Sequence, residues 1–507
     1  MLSKRQASRV LAIAAAFTLA SCGGYDNSAL GVAVVGEPDD LFVKGAGLTA
    51  GAVLVRASTV EGLVAFDDAG RVIPALADRW IVTDDGQSYI FRLREGNWSS
   101  GEPITADSAR RAINTALKGL DDSPLAHDLS GIDEVRAMAG RVIEIRLNRP
   151  MPYLLQLLAQ PELGLYRKGE GTGPMSVTRT GNTAALSAID PAKLGMAPIE
   201  NWAERTRPVH LRALPGPQAV AAFNDGSVDL VLGGRIQDFF LTRSVGILRG
   251  TIQLDPVVGL FGLHVMNDKG FLAEPANREA LAMAVDRDGL ISPFGVGGWA
   301  ATTRLVTPSL DGDLGTIGER WGGQTLEERR AVAAARVRAW SGAGAAAPVA
   351  GGQEPSPRPD GPRVRLRVRL PEGAGSVTLF TRLAADFAAI GVGLDRTTDA
   401  DMADLELIDD VASYPRAAWY LNRLSCHAGT GLCSQEADAR VTEAAAAATP
   451  AERAALLTEA EAELTGANVF IPFGTPIRWS LVRGSVNGFS VNPWGWHPLM
   501  PLAWLPK

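Results

Sequence analysis

The chain has 507 residues, of which 46% are hydrophobic and 21% charged, a composition typical of folded domains and not of disordered chains. This length is sufficient for two or three lobes with apolar cores, and no segment after the N-terminus is apolar enough to be expected to cross a membrane. The net charge of -7, without any basic cluster interleaved with aromatics, gives no reason to expect nucleic-acid binding.

The N-terminus predicts export. Three cations lie among the first nine residues, residues 10–20 are almost entirely apolar, and the letters LASC end at Cys22. This pattern resembles a lipoprotein signal peptide, in which residues 1–21 are removed and Cys22 is lipidated. The apolar stretch is too short for a transmembrane anchor, and an ordinary signal cleaved near Ala20 is the alternative.

A β-hairpin is predicted next. The runs WIV at 80–82 and YIFRL at 89–93 are rich in strand-forming residues, and Asp85 and Gly86 lie between them. Glycine tolerates the positive φ that a tight turn requires. Before the hairpin, the letters PALAD at 74–78 favour a short helical turn with proline at an early position.

Helix caps and turns are predicted between residues 105 and 230. Thr105 is a good N-cap for a helix over residues 106–117. The letters GTGP at 171–174 predict a turn, and no Lys-Ser/Thr follows as a phosphate-binding loop would require. Residues 221–230 read as a helix end followed by a buried strand, with Asp229 as a turn residue.

The second half of the chain contains further helices. Leu281 and Val285 are one turn apart on an alanine-rich helix, which predicts a packing face. Residues 325–340 predict a helix. The Gly/Ala/Pro-rich residues 341–362 predict a flexible surface insert.

A strand–helix–strand unit is predicted after the insert. Residues 364–370 alternate as a strand with arginines on its outer face, residues 379–390 form a helix, and residues 391–394 begin another strand. Further on, the letters TPAE at 449–452 form a capping box that starts a helix to about residue 464.

The cysteines divide into one lipidation candidate and one pair. Cys426 and Cys433 are seven residues apart in a glycine-rich segment, and an exported protein encounters an oxidising compartment. We therefore expect a disulfide. A metal site that includes His427 is the alternative, although structural zinc sites need four ligands.

Catalytic motifs are missing from the sequence. The five histidines have no HExxH-type spacing, and the sequence lacks GxSxG. The sequence therefore predicts a protein that is not an enzyme and that has no cofactor and no metal site.

Residues 61–117 carry a family resemblance. The segments that carry it are EGL at 61–63, PALA at 74–77, Trp80, Asp85-Gly86, Phe91, Leu93-Arg94, Gly96, Gly101, Pro103 and TAD at 105–107. With them, the block closely resembles one found in the extracytoplasmic substrate-binding proteins of ABC importers, of the peptide and oligopeptide type (solute-binding protein family 5). Further matches cover nearly the whole chain after the signal, with gaps at 126–140 and 341–362.

The resemblance implies an α/β fold, namely a bilobal periplasmic-binding-protein (type II-like) fold with an extra lobe and mixed sheets flanked by helices. In this family the chain leaves lobe I and returns to it. The implied division is residues 22–50, 171–262 and 486–507 for lobe I, 51–170 for lobe II, and 263–485 for lobe III.

The resemblance also locates a ligand site, where this chain departs from the family. Relatives that take peptides have an aspartate before a tyrosine, and this aspartate holds the amino terminus of the ligand. Here Ser413 precedes Tyr414, and a neutral hydroxyl cannot form a charge-assisted bond to an ammonium. Asp409 or Asp410 is the alternative, and strand alternation predicts that only one of them faces the cleft.

Aromatic side chains are the other candidates for the cleft. Packing in a core is the alternative for each of them, including Tyr420. The full set of expected ligand contacts is Asp410, Ser413, Tyr414, Trp419, Trp494 and Trp496.

The implied function is that of the solute-binding component of an ABC importer. Such a protein encloses a peptide or other small solute between lobes and delivers it to a permease and ATPase complex, without breaking a bond. We expect a monomer held at the membrane by its lipid anchor, on the periplasmic or extracellular face of the cell envelope. The alternatives are an envelope lipoprotein that senses ligands or chaperones a partner on the same scaffold, and a hydrolase.

Overall fold

The computed structural model describes residues 29–45, 47–120, 123–246, 250–345 and 364–505. The expected signal peptide of residues 1–21 and the expected lipidation site Cys22 lie outside these ranges, as does most of the expected insert at 341–362. No helix in the described ranges is both long and apolar enough to cross a membrane.

Four sheets form the framework of the described residues. The strands are β1 (Leu30–Val35), β2 (Val64–Phe66), β3 (Val72–Pro74), β4 (Ala77–Val82), β5 (Ser88–Leu93), β6 (Ile132–Ala137), β7 (Val142–Leu147), β8 (Met175–Thr180), β9 (Thr183–Ala188), β10 (Val209–Leu214), β11 (Leu230–Gly234), β12 (Ile252–Asp255), β13 (Gly259–Val265), β14 (Val364–Arg369), β15 (Val392–Thr397), β16 (Leu405–Val411), β17 (Phe470–Gly474) and β18 (Arg478–Val482). The strand orders in the four sheets are β12-β18-β11-β1-β10-β9-β8, β15-β14-β16-β13-β17, β4-β5-β7-β6 and β2-β3.

Helices flank these sheets, which confirms the expected α/β class. A 3-10 helix, Ile236–Ser244, also follows β11 directly. The α-helices are α1 (Ala50–Thr59), α2 (Ala106–Lys118), α3 (Pro124–Asp128), α4 (Leu154–Leu158), α5 (Trp202–Arg205), α6 (Gly216–Asn224), α7 (Pro275–Ala284), α8 (Arg287–Ile291), α9 (Leu326–Ala345), α10 (Ala374–Ala388), α11 (Ala417–Arg423), α12 (Gln435–Ala446), α13 (Pro450–Ala467) and α14 (Leu499–Leu502).

The seven-stranded sheet is built around β1, which runs parallel to β10 and β11. Val32 and Val34 pack into the cluster that contains residues of α1. Ala33 faces the other way, into the cluster that contains residues of α6. Because helices cover both faces, this strand is apolar at nearly every position.

The five-stranded sheet contains the predicted strand–helix–strand unit. β14 and β15 are parallel, as a helical crossover requires, and α10 connects them. Val364, Leu366 and Val368 are buried, whereas Arg365 is exposed. The helix begins at Ala374, earlier than the predicted residue 379. Similarly, α9 runs on to Ala345, into the region expected to be a loop.

The four-stranded sheet contains the predicted hairpin. β4 and β5 are antiparallel, and Gly86 in the turn has a φ of +66°. The predicted helical turn at 74–78 is wrong, because these residues end β3 and begin β4. The backbone N–H groups of Leu76 and Ala77 donate to the carbonyls of residues 62 and 63, and both side chains are fully buried. Tertiary pairing has overridden the local preference.

The predicted N-cap of α2 is confirmed and supports a testable prediction. The Thr105 hydroxyl accepts from the Ser108 backbone N–H at 3.1 Å, and the Ser108 hydroxyl accepts from the Thr105 N–H at 3.0 Å. We expect Thr105→Ala to lower the free energy of unfolding by about 1 kcal/mol. Urea denaturation followed by circular dichroism measures this. Thr105→Ser retains the hydroxyl and serves as the control, and equal losses in both variants would contradict the role of the cap.

Two strands differ from the expected lobe boundaries. β13 spans residues 259–265 and lies in the five-stranded sheet, although lobe I was expected to extend to 262. β18 pairs with β11 and β12 in the seven-stranded sheet, although it falls in the range expected for lobe III. A hydrogen-bonded strand cannot be divided between lobes. Below, lobes I, II and III are the parts built on the seven-, four- and five-stranded sheets.

Candidate functional site

A cavity of about 510 Å³ lies between lobes I and III. Residues that follow the carboxyl ends of β11 and β14 form part of its wall, and residues of β13, β16 and other segments of lobe III form the rest. Ligand sites in open α/β sheets lie outside the carboxyl ends of strands, and this volume is within the range of small-molecule sites. The polar and charged residues lining it are Arg235, Gln237, His264, Arg369, Glu372, Thr398, Glu406, Asp409, Asp410, Arg423 and Thr430.

Arg235 is positioned by a close contact behind it. The preceding residue, Gly234, lies against the indole of Trp479, so that a Cβ at this position would come within 2.2 Å of the ring. Only glycine fits there. The Trp479 Nε1–H also donates to the backbone oxygen of Arg235 at 2.8 Å. These contacts fix the backbone from which the Arg235 side chain enters the cavity.

The Arg235 guanidinium has no carboxylate partner among the described residues. Two other arginines of the cavity, Arg369 and Arg423, pair with Glu406 and Asp410. Arg235 instead donates from Nη1 to the backbone oxygen of Asp409 at 3.0 Å, which leaves its positive charge unmatched. Its side chain remains exposed. It can therefore accept an anionic group of a ligand.

Asp409 connects the two lobes across the cavity. Arg478 of lobe I donates to Asp409 Oδ1 and to its backbone oxygen, each at 2.7 Å. The Asp409 side chain is 7% exposed, so this ion pair is weakly screened. Asp410, next on the same strand, pairs with Arg423 instead. Both residues line the cavity, but their carboxylates bind different arginines, and the prediction that only one of them faces the cleft stays a prediction.

The cavity wall has several buried polar atoms without a hydrogen-bond partner in the described structure. They are Gln237 Oε1, His264 Nδ1, Arg369 Nε and Asp409 Oδ2. Burial lowers the pKa of His264, so its ring is neutral at pH 7. Its Nε2 lies 2.8 Å from the backbone oxygen of Leu432 and must donate, which makes Nδ1 an acceptor. A buried polar atom without a hydrogen-bond partner raises the free energy of the folded protein unless water or a ligand supplies that partner.

The disulfide shapes one end of this cavity. Cys426 and Cys433 are bonded, and the loop between them contributes Thr430 to the wall and the carbonyl of Leu432 to His264. The loop is also held by the Cys426 N–H, which donates to Asp438 Oδ2 at 2.9 Å. The disulfide therefore fixes local geometry beside the cavity.

We expect opening of the disulfide to have a moderate effect. Closure of an eight-residue loop contributes about 2.5 kcal/mol by chain entropy, so Cys426→Ser with Cys433→Ser should lower the free energy of unfolding by about 2 kcal/mol. Chemical denaturation measures this. Reducing agent should destabilise the wild type by a similar amount and leave the double variant unchanged. A wild type that is insensitive to reduction would contradict this role.

Tyr414 lies away from the cavity. It is fully buried between lobes II and III, where it stacks on Tyr153 with ring centroids 4.6 Å apart. Burial raises the pKa of its hydroxyl, which donates to Asp128 Oδ1 at 2.7 Å. Next to it, the backbone oxygen of Ser413 accepts from Gln160 Nε2 at 3.2 Å. The position equivalent to the family's amine clamp is therefore part of an interlobe contact.

The predicted tryptophans are also packing residues. Trp419 is buried in α11, edge-on to the buried Tyr420. Trp494 donates from Nε1 to the backbone oxygen of Gly70 at 2.8 Å and stacks on Phe66. Trp496 packs between hydrophobic clusters. Of the six expected ligand contacts, only Asp410 lines the cavity.

Most of the polar residues that line the cavity are not among those predicted from the sequence. Arg235 and Arg369 have a signal that could have been used, because each stands near the carboxyl end of a predicted strand, where α/β proteins place ligands. His264 and Arg423 have no such signal, since their approach to the cavity depends on how the strands and helices of lobe III pack.

Comparisons with known proteins agree with this architecture. A sequence relative, the probable deoxycholate-binding periplasmic protein YgiS of Escherichia coli, is 34% identical over 122 residues, which covers 20% of this chain and 23% of that protein. The periplasmic oligopeptide-binding protein OppA of the same organism is 24% identical over 300 residues, covering 53% and 54%. These alignments span between about a quarter and half of the relatives' lengths.

Solved structures extend the likeness to the whole fold. Haemophilus influenzae OppA in complex with the peptide RPPGFSPFR superposes with a TM-score of 0.76 at 18% identity, covering 94% of this chain and 99% of that one. The likeness shows a shared fold. Residues 71–335, more than half of the chain, match the family described as bacterial extracellular solute-binding proteins, family 5 Middle. The chain therefore belongs to the bacterial extracellular solute-binding proteins of family 5, as its sequence patterns indicated.

Proposed function

We propose that this protein is the extracytoplasmic solute-binding component of an ABC importer, which captures a peptide or peptide-like ligand between lobes I and III. The observation that carries the proposal is the interlobe cavity, with the unmatched guanidinium of Arg235 and buried polar atoms that have no partner in the described residues. The similarity to proteins named for oligopeptide binding supports it.

The cavity matches the chemistry of a peptide. A ligand carboxylate can bind Arg235, because a guanidinium recognises a carboxylate through paired charge-assisted bonds. Ligand N–H groups can donate to the carboxylate of Glu372 and to the hydroxyls of Thr398 and Thr430, which line the cavity and are exposed. A ligand that meets these demands has a carboxylate at one end and several N–H donors along its length.

The amino terminus of the ligand is not held by an aspartate before a tyrosine, as it is in relatives that take peptides. Ser413 has no charge, and Asp410 is already paired with Arg423. Glu372 lines the cavity, is exposed, and forms no ion pair among the described residues. We infer that the carboxylate of the ligand contributes more to affinity than its ammonium group.

Capture and delivery follow from the interlobe contacts. Asp409 of lobe III holds Arg235 and Arg478 of lobe I, so closure forms these bonds and excludes water from the ligand. A ligand that contacts both lobes favours the closed state, which is the form that a permease complex would recognise. The protein acts by binding alone, as a monomer anchored to the envelope through lipidated Cys22, with residues 1–21 removed as a signal peptide.

A thermal-shift experiment with three matched peptides tests this function. A tripeptide, its C-terminally amidated form and its N-acetylated form differ only at their ends. A ligand of the folded state raises the melting temperature. We expect the unmodified and acetylated peptides to stabilise the protein more than the amidated peptide. Failure across a broad library of short peptides would contradict the proposed function, and stabilisation by the amidated peptide alone would contradict the role of Arg235.

A further inference from the structure

A second, smaller cavity lies away from the proposed ligand site, where lobe II meets lobe III. Its volume is about 190 Å³. Lobe II contributes residues of α3 and of the loop between β7 and α4, and lobe III contributes residues of α11, α12 and α13. No residue that lines this cavity also lines the larger one. Its chemistry therefore has to be considered separately.

Three arginines line this cavity. Arg416 pairs with Asp311, whereas Arg149 and Arg453 form no ion pair with a carboxylate among the described residues. Arg149 donates to Asn148 Oδ1 at 3.3 Å and to Ser130 Oγ at 3.0 Å. These are neutral acceptors, which leave its charge unmatched.

An aromatic ring and the first turn of a helix also form part of this wall. The Arg416 guanidinium lies 5.3 Å from the ring centroid of Tyr153. Burial raises the pKa of the Tyr153 hydroxyl, and the nearby guanidiniums of Arg149, Arg416 and Arg453 oppose that rise, which is consistent with their converging on one place. Pro450, at the first turn of the 18-residue helix α13, also lines the cavity. The positive end of that helix dipole adds to the attraction for an anion.

The acids of the wall do not cancel these charges. Asp311 is paired with Arg416. Asp128 is buried and accepts on Oδ1 from the Tyr414 hydroxyl and from Asn422 Nδ2, each at 2.7 Å. With three arginines and two aspartates, the wall has a net positive charge, held by Arg149 and Arg453.

Much of the remaining wall is apolar, although His127 and Thr442 also line it. The side chains that offer no hydrogen bond come from both lobes, namely Pro150, Pro152, Ala418, Val441, Ala445 and Leu457. A small inorganic ion would leave this surface uncovered, whereas a compact organic acid would bury it.

We propose that the cavity between lobes II and III binds a small amphipathic carboxylate, whose charged end lies at Arg149 and Arg453 and whose apolar body fills the space between the prolines and α12. Because the two arginines belong to different lobes, the bound acid bridges lobe II to lobe III. The site is independent of the peptide cavity.

Calorimetric titration with sodium benzoate tests the proposal, with benzamide as the uncharged probe of the same shape. We expect benzoate to bind the wild type and benzamide to bind at least tenfold more weakly. Arg149→Gln and Arg453→Gln should each weaken benzoate binding at least fivefold. Arg382→Gln removes an exposed charge on α10, outside both cavities, and should have no effect.

Additional variants show whether benzoate binds in this cavity. Arg149→Lys and Arg453→Lys retain the charge and should bind benzoate better than the glutamine variants, which excludes misfolding as the cause of weaker binding. Arg235→Gln should leave benzoate binding unchanged. Loss of benzoate binding in Arg235→Gln would place benzoate in the larger cavity and overturn the proposal, as would equal binding of benzoate and benzamide or no benzoate binding at all.

Discussion

Replacement of Arg304 by methionine is expected to lower the free energy of unfolding by about 3–5 kcal/mol, the cost of removing one partner from a buried ionic network. Arg304 Nη2 lies 2.9 Å from Asp313 Oδ1 and 2.8 Å from Glu461 Oε2. The three side chains are 4%, 1% and 2% exposed. Methionine fills similar space without charge, so two buried carboxylates would remain without a cation.

The Asp313 contribution to the pH dependence has a definite sign. Burial tends to raise the pKa of Asp313, but hydrogen bonds from Arg304 and from the Gly315 and Ser309 N–H groups lower it below its ordinary value of 3.8. A carboxyl group with a lowered pKa stabilises the fold above that ordinary value, and the contribution is lost as the pH falls through the folded-state pKa. The difference between wild type and Arg304→Met should therefore shrink below about pH 4.

Urea denaturation at pH 7 and at pH 3.5 measures both effects. Arg382→Gln, which removes an exposed arginine, is the matched control and should change stability by less than about 0.5 kcal/mol. A second comparison uses the double variant Glu461→Gln with Arg304→Met. In this variant, one of the two buried carboxylates that would lack a cation is replaced by a neutral amide. We expect this double variant to be more stable than Arg304→Met alone. A loss below about 1 kcal/mol in Arg304→Met would contradict the network's importance.

Replacement of Arg235 by methionine is expected to weaken ligand binding by at least tenfold. A hydrogen bond to a charged group contributes about 1.5–3 kcal/mol, which corresponds to roughly 10- to 150-fold in affinity. The variant would also lose the bond from Arg235 Nη1 to the Asp409 backbone, which links lobe I to lobe III. Calorimetric titration with an unmodified tripeptide measures the change.

The control for this prediction lies in the ligand. If Arg235 binds the carboxylate, the substitution Arg235→Met should weaken binding of an amidated tripeptide much less than binding of the free acid, since the amide lacks the carboxylate interaction already. Arg235→Lys retains the charge but loses the paired hydrogen-bond geometry, so its affinity for the free acid should lie between those of the wild type and Arg235→Met. An equal loss of affinity for the free acid and the amide would show that Arg235 acts through the closure of the lobes and not through the carboxylate.

Local signals in the sequence predicted the elements better than the site. The hairpin at Gly86, the capped helix after Thr105 and the β14–α10–β15 unit depend on neighbours in the chain, and the structure contains all three. The helical turn predicted at residues 74–78 is wrong because the backbone there pairs with residues 62 and 63 and the side chains pack into a core. No local pattern indicates such pairing.

The ligand residues depend on contacts between distant segments. Asp409 of lobe III meets Arg235 and Arg478 of lobe I only when the two lobes pack together, and these arginines lie 174 and 69 positions from it along the chain. Tyr414 was predicted to face the ligand, but its partners Asp128 and Tyr153 come from lobe II. An unaligned sequence does not show which lobe a side chain will face.

Native mass spectrometry of the protein purified without denaturation tests the central claim, that a peptide-like ligand is held between lobes I and III by Arg235. We expect the wild type to retain small peptide-like species, or to take them up from a tripeptide library, and we expect Arg235→Glu to do neither. Arg382→Gln should behave like the wild type. A wild type that shows only its unliganded mass after incubation with the library, or the same bound species in Arg235→Glu, would contradict the account.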